Sequence, residues 1–298
     1  MKVLVNDKIS PKGIEILEEA GYDLTQKHHD TDELMDVLSD YDGIILRSAT
    51  TIGEDLIDAS ADNLKVIARA GTGLDNIDVD YAESKGIDVL NTPGANSASV
   101  SELVFAHLFA LARYLPQANL TMREGEWNKS DYRGIELAGK TLGIVGLGKI
   151  GQITAEMALN FDMDVLGYDV ADIDTDLDVD MVEKEELLQN SDFVSLHIPA
   201  SDEAFIGEEE LDMMSEDAYL VNCARGGVVD EDALLDALNN DDIAGAGIDV
   251  WEEEPTNNDE LVNNEKVSVT PHIGAATYEA QDRVGIQIAE KLIDALEN

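Results

Sequence analysis

The chain has one cysteine, Cys223, 5% aromatic residues and 19 lysines and arginines among 298 residues. A single cysteine excludes an intramolecular disulfide and fits a reducing compartment. The scarcity of aromatics leaves packing to aliphatic side chains and alanine, and a hydrophobic content of 44% is enough for sizeable cores. No run approaches the ~18 consecutive apolar residues that suggest a membrane-spanning helix. Met1 to Asp7 reads as a first strand, not as a signal peptide. So few cations, spread thinly, also argue against nucleic acid, whose phosphates need Lys and Arg. A cytoplasmic protein is expected, with no repeat and no low-complexity segment.

Opposite those cations stand 64 Asp and Glu residues, for a formal net charge of −45. The acids run the whole length of the chain, so they do not make a disordered tail, and regular hydrophobic periodicity excludes general disorder. Such a surface repels itself in dilute buffer and loosens the compact state. At 1 M salt the Debye length falls to ~3 Å and most of that repulsion is gone. The composition therefore suggests a salt-rich cytoplasm, as in a halophile.

The most informative segment is Gly143-Ile144-Val145-Gly146-Leu147-Gly148-Lys149-Ile150-Gly151. Gly146, Gly148 and Gly151 have the G-x-G-x-x-G spacing of a dinucleotide site. The first glycine permits a tight strand-to-helix turn, the second lets a pyrophosphate approach the backbone, and the third lets helix and strand pack closely. The anion then meets the N–H groups of a helix N-terminus. Residues 140–145 read as a buried strand, 150–161 as an apolar helix and 164–168 as a second strand, which ends at Asp169. Asp169 follows Gly146 by 23 residues, close to the ~20 expected of the acid that binds a ribose hydroxyl pair. Val170, Ala171 and Asp172 offer no cation for a 2′-phosphate, which favours NAD over NADP.

Strands and helices alternate elsewhere too. Residues 3–6, 43–46, 65–68 and 89–90 read as strands, and 12–20, 31–38, 54–59 and 80–85 as helices. A single long helix is expected over 97–115. A second series follows, with six strands near 141–145, 164–168, 192–196, 218–222, 244–248 and 267–269, and a last helix over 277–296. This pattern predicts α/β architecture with two parallel-sheet domains, Rossmann-like or flavodoxin-like, separated by a cleft. The expected division is 1–95 plus 276–298 for a discontinuous substrate-binding domain and 96–275 for the dinucleotide-binding domain.

Three strand ends in succession carry chemistry. Arg225 follows the strand 218–222, and an arginine fork can hold a carboxylate with two hydrogen bonds. The lesser alternative is a surface ion pair or a helix cap. Glu254, one of three consecutive glutamates, reads alone as part of a solvated charge run. His272 follows the strand 267–269 and suits proton transfer near neutrality, although a lone histidine is more often structural. Metal binding finds no support: His28 and His29 read as exposed loop residues without a third ligand, and His107 as a histidine packed in mid-helix.

Together these segments are similar to the D-isomer-specific 2-hydroxyacid dehydrogenases, over nearly all of the chain. Arg47-Ser48-Ala49-Thr50, Arg69-Ala70-Gly71-Thr72-Gly73-Leu74-Asp75-Asn76, Asn91-Thr92-Pro93, Gly146 to Gly151, Asn222 to Asp230, Asp249 to Pro255 and Pro271 to Ala275 carry the resemblance. It implies that Arg225 binds the substrate carboxylate and that Glu254 pairs with a catalytic His272. It implies NAD contacts at Thr72, Gly146, Gly148, Lys149, Ile150, Gly151, Asp169, Cys223, Ala224, Asp249 and Gly274. Within the family the chain looks most like the phosphoglycerate dehydrogenases. That implies oxidation of 3-phospho-D-glycerate to 3-phosphohydroxypyruvate, the opening of serine synthesis, with Arg47, Arg69, Gly71, Gly73, Asn76 and Lys129 on the substrate side. It also implies a short form without serine feedback, and a homodimer through the NAD-binding domain and an arm near 115–140, where Tyr114, Leu115, Trp127 and Tyr132 could make contact. The alternatives are a glyoxylate or hydroxypyruvate reductase of the same family and, from another class, an NAD-sensing corepressor-like binding protein.

Unfolding followed against KCl concentration should show stability rising from dilute buffer into the molar range; greater stability at low salt would contradict the high-salt reading.

Overall fold

The computed structural model describes residues 1–297. Contacts divide the chain into two compact units, Met1–Asn96 with the segment from Ala275 on, and Ser97–Gly274.

The first unit contains β1 (Lys2–Val5), α1 (Pro11–Glu19), β2 (Asp23–Gln26), α2 (Thr31–Val37), β3 (Gly43–Leu46), α3 (Glu54–Ser60), β4 (Val66–Arg69), α4 (Val79–Ser84) and β5 (Asp88–Leu90). Its strands are parallel in the order β2-β1-β3-β4-β5, the flavodoxin-like winding. Four residues of β3, Gly-Ile-Ile-Leu, are all buried, as a central parallel strand covered on both faces requires. One face packs Val3, Val5, Ile45, Val66 and Ala68, and the other Leu4, Ile44, Leu46 and Ile67.

The second unit contains α5 (Ser97–Ala112), α6 (Leu115–Arg123), β6 (Thr141–Val145), α7 (Lys149–Asn160), β7 (Asp164–Tyr168), β8 (Asp180–Met181), α8 (Lys184–Asn190), β9 (Phe193–Leu196), α9 (Glu208–Met213), β10 (Tyr219–Asn222), α10 (Glu231–Asn239), β11 (Gly245–Ile248), α11 (Asp259–Val262) and β12 (Val267–Val269). The chain then returns to the first unit as α12 (Tyr278–Glu297), which seals it with Ile288, Ala289, Leu292 and Leu296. The second sheet has the order β12-β11-β10-β9-β6-β7-β8 and is parallel throughout. This is the Rossmann winding with one further strand, and its direction reverses between β6 and β9.

Four expectations need correction. The sheet has seven strands, not six, because the two exposed residues of β8 add an edge. The first sheet gains β2, whose Asp-Leu-Thr-Gln sequence has no apolar signature. The helix expected over 97–115 ends at Ala112; Tyr114 takes φ 53°, and α6 restarts at an angle of 64° to α5. His29 is buried, with its N–H on Asn6 Oδ1 and its Nδ1 beside Glu33, whereas His28 is exposed as expected. No single helix among the described residues is long and apolar enough to cross a membrane.

The acids have local uses. Asp30, Asp78 and Asp230 cap α2, α4 and α10 by accepting backbone N–H bonds, and first turns are rich in Asp and Glu, where the helix dipole favours negative charge. The opposite ends lack the matching cation: among the described residues only α6 has a basic residue in its last turn, Arg123.

His197 follows β9 at the point where the sheet order reverses. The residue keeps some exposed surface, but its ring is enclosed: Nε2 bonds Ser195 Oγ at 3.0 Å, and the buried Nδ1 has no partner. Enclosure disfavours the charged ring and pushes its pKa down to about 4. A group that binds its proton less well when folded contributes stability in full above its unfolded value, and that stability is lost as pH falls toward the folded one. At pH 5 the loss is on the order of 2 kcal/mol. Urea unfolding at fixed KCl should therefore show a smaller drop between pH 7 and pH 5 for His197→Leu than for the parent chain.

Candidate active site

The turn after β6 is built by glycines. Gly146 has φ +92°, and a Cβ there would lie 2.6 Å from the His197 carbonyl oxygen. A Cβ on Gly151 would lie 2.1 Å from the carbonyl oxygen of Gly146, so helix and turn touch backbone to backbone. Gly148 is different: it is exposed and nothing lies within 4 Å of an added Cβ. It stands at the N-cap of α7, where glycine brings no side-chain cap to the helix. Asp169, at the end of β7, accepts the Leu147 N–H at 2.7 Å and the Ala171 N–H at 3.0 Å. Its carboxylate is thus fixed beside the glycine turn, with lone pairs left for hydroxyl donors. Lys149 is exposed and Ile150 half-buried at the helix start. Open space over Gly148, a helix N-terminus and a fixed acid are what a dinucleotide needs, so these residues fit one.

Arg225, Asp249 and His272 lie just beyond the carboxyl ends of β10, β11 and β12, three neighbouring strands of one sheet edge. The strands that lead to Arg225 and His272 are two spacings apart, about 10 Å. Asn222 shapes the first turn: its Oδ1 accepts the Ala224 N–H and its Nδ2 donates to the Arg225 carbonyl. The Arg225 guanidinium, half-buried, donates to the Ala224 carbonyl at 2.6 Å. Burial pushes the Cys223 thiol up, away from the reactive thiolate.

Asp249 is 1% exposed and organises the next turn. Its side chain accepts from Thr270 Oγ1 at 2.6 Å, Ile273 N at 2.8 Å and Gly274 N at 2.9 Å, while its carbonyl accepts the His272 N–H at 2.7 Å. His272 itself sits in the left-handed region at φ 52°. Its Nδ1 lies 2.7 and 2.9 Å from the two carboxylate oxygens of Glu254. The carboxylate can only accept, so Nδ1 carries the proton and Nε2 is left as the basic nitrogen. Trp251 ties the segments together through its indole N–H on the Thr270 carbonyl.

The substrate-side candidates in the first unit also gather at strand ends. Arg47 follows β3 and Arg69 ends β4. Gly71 gives room to the Arg69 guanidinium, since a Cβ there would lie 1.7 Å from Nη1. Gly73 and Thr72 follow in the same loop, half-buried, with Thr72 Oγ1 on Asn96 Oδ1. Asn76 acts on the backbone: its Nδ2 donates to the carbonyls of Arg47 and Thr50, and Asp7, which the sequence did not single out, accepts the Arg47 N–H at 2.6 Å. Lys129, in the second unit, is exposed in the loop after α6.

Asn222 as a shaper of its turn and Thr270 as the hydroxyl partner of Asp249 were not among the residues expected from the sequence. An Asn at a strand end before a turn is a usable signal, because its side chain bonds backbone two residues on; Thr270 had none. Two glycine variants separate fold from binding. Gly148→Ala should melt like the parent yet bind NADH several-fold more weakly in a fluorescence titration. Gly146→Ala, forced to φ above zero and against the His197 carbonyl, should lose more than the roughly 1–2 kcal/mol that the backbone conformation alone costs.

Residues 105–274 match the family described as D-isomer specific 2-hydroxyacid dehydrogenase, NAD binding domain. The chain is 43% identical to the hydroxypyruvate reductase of Thermotoga maritima, over 99% of this chain and 98% of that protein. It is 42% identical to the D-3-phosphoglycerate dehydrogenase of Methanocaldococcus jannaschii over 98% of its own residues, but it spans only 57% of that relative. Among solved structures, a glyoxylate reductase from Paecilomyes thermophila superposes with a TM-score of 0.91 at 30% identity, covering 100% of this chain and 95% of that one. The two parallel α/β units, the NAD-binding turn and these matches establish that the chain belongs to the D-isomer-specific 2-hydroxyacid dehydrogenases.

Proposed function

We propose that this member of the family oxidises 3-phospho-D-glycerate to 3-phosphohydroxypyruvate, using NAD, and that Arg225, Glu254 and His272 are its catalytic residues. The observation that carries the reading is the His272–Glu254 pair, with Arg225 two strands away on the same sheet edge as the glycine turn. The bound cofactor supplies the hydride acceptor. The Arg225 fork orients the substrate carboxylate. His272 Nε2 takes the C2 hydroxyl proton as the C2–H bond breaks and the carbonyl forms, and Glu254, facing Nδ1–H, balances the imidazolium charge. In the reverse direction protonated His272 returns that proton. Asp169 supports NAD over NADP, because Val170, Ala171 and Asp172 bring no cation beside it.

Arg47 and Arg69 support a phosphate-bearing substrate, since guanidinium forks suit phosphate oxygens and a chain at −45 has few cations to place. Lys129 is proposed as the cation that one subunit lends to its partner in a homodimer. Leu115, Leu120, Met122 and Trp127, all exposed on α6 and the loop after it, supply the apolar surface for that second copy. A second reading has its own support: the full-length similarity to a hydroxypyruvate reductase favours reduction of hydroxypyruvate or glyoxylate. A cytoplasmic, salt-rich setting completes the proposal.

Initial rates with 3-phosphoglycerate, hydroxypyruvate, glyoxylate and 2-oxoglutarate, each with both nicotinamide cofactors and at several KCl concentrations, decide between them. Phosphoglycerate should be the best substrate, and Arg47→Ala and Arg69→Ala should raise its KM far more than that of glyoxylate. Equal effects on both would favour the reductase. His272→Ala should lower kcat by about 10²- to 10⁴-fold with NADH binding nearly intact. NADH binding without turnover of any 2-hydroxy or 2-oxo acid would turn the reading toward a nucleotide-sensing protein.

A further inference from the structure

Helix α5 has a polar residue in its buried face. His107 is 2% exposed, and β11 makes room for it at Gly247, where a Cβ would lie 2.7 Å from that of His107. Both ring nitrogens are engaged: Nδ1 lies 2.9 Å from Ser268 Oγ and Nε2 lies 3.1 Å from Thr270 Oγ1. Proton counting gives these bonds a direction. Thr270 has one hydroxyl proton, and it goes to Asp249 Oδ1 at 2.6 Å. The Thr270 oxygen therefore accepts from His107, so Nε2 carries the ring proton and Nδ1 accepts from Ser268.

The ring is thereby fixed in its neutral form with one tautomer. Burial, which lowers the pKa of His107, acts in the same sense, and the nearby Asp249 opposes it. The chain of donors runs from His107 Nε2–H to the Thr270 hydroxyl and on to Asp249, whose Oδ1 also accepts Ile273 N–H and whose Oδ2 accepts Gly274 N–H. The turn that these bonds hold contains His272, in a left-handed backbone conformation that is uncommon outside glycine.

We propose that His107 is a positioning residue for the imidazole of His272, acting through Thr270 and Asp249. The proposal rests on the reading that His272 transfers the proton. Without a donor to its oxygen, the Thr270 hydroxyl is no longer aimed at Asp249, and the carboxylate loses the lateral support that sets the height of the 270–274 turn. A hydrogen-bonded core histidine with no further role would affect stability alone.

Two neutral polar replacements separate these possibilities. Gln places an amide nitrogen near the position of Nε2 and can still reach Thr270. Asn reaches only as far as Nδ1 and can still bond Ser268. His107→Gln should keep kcat within about threefold of the parent, and His107→Asn should lose about tenfold, as expected for a small displacement of a catalytic group. KM for the 2-oxo acid should change little in either. Combined with Thr270→Val, His107→Asn should cost no more than Thr270→Val alone, because both cut the same chain. Equal kcat for the Asn and Gln variants, or losses that multiply in the double variant, would overturn the assignment, whatever the melting temperatures. His272→Ala serves as the reference. If it keeps parental turnover, the proton-transfer reading fails; if it is inactive while Asn and Gln behave alike, only the role of His107 fails.

Discussion

The position of His272 depends on one buried carboxylate. Asp249 stands at the end of β11, between the strands that deliver Arg225 and His272, and makes four contacts with the 270–274 turn: a hydroxyl, two amide N–H groups on its side chain and one on its carbonyl. A carboxylate in a nearly dry site is costly unless its lone pairs are filled, so the turn and the acid fix each other. A loop with its own freedom could point an imidazole in many directions. A loop pinned at four points to a strand end has few, and Glu254 then fixes the remaining ring rotation through Nδ1.

The same economy governs charge. With 64 acids and 19 cations, pairing every carboxylate is impossible, and the chain places many of them where no cation is needed: at helix N-caps and first turns, and on backbone N–H groups as Asp7, Asp169 and Asp249 do. Among the described residues the helix C-termini other than that of α6 have no basic residue in their last turn, and 19 cations leave most of the 64 acids without a protein cation of their own. Solvent cations would take that place, so the proposed salt requirement follows from the distribution of charge and not only from its sum.

Much of this was legible in the sequence because the signals were backbone requirements. Glycine spacing, a strand before it and an acid after the next strand locate the nucleotide turn without reference to any side-chain packing. Central strands such as Gly43–Leu46 show as unbroken apolar runs because both faces are covered. Edge strands escape that logic: β2 and β8 have one neighbour and wet surfaces, so polar residues suffice. The break between α5 and α6 had a sign in Pro116, which belongs in a first helical turn, but Tyr114 at positive φ had none. His29 escapes for a similar reason, since the Asn6 side chain that holds its backbone at both N–H and carbonyl lies 23 residues away.

His107 shows where sequence reading stops. Its apolar neighbours identify it correctly as packed, and nothing along the chain tells a packed histidine from one wired to the site. The difference lies in Thr270 and Ser268, more than 160 positions later, and in the missing side chain at Gly247 that lets the ring approach β11. A core of aliphatic residues at this point would be cheaper in free energy, because a buried polar ring must be desolvated and then satisfied on both sides. Two satisfied ring nitrogens, each on a hydroxyl of the same strand end, offset that cost and aim the ring at the strand whose turn holds His272. An apolar side chain could fill the space, but it could not orient the Thr270 hydroxyl.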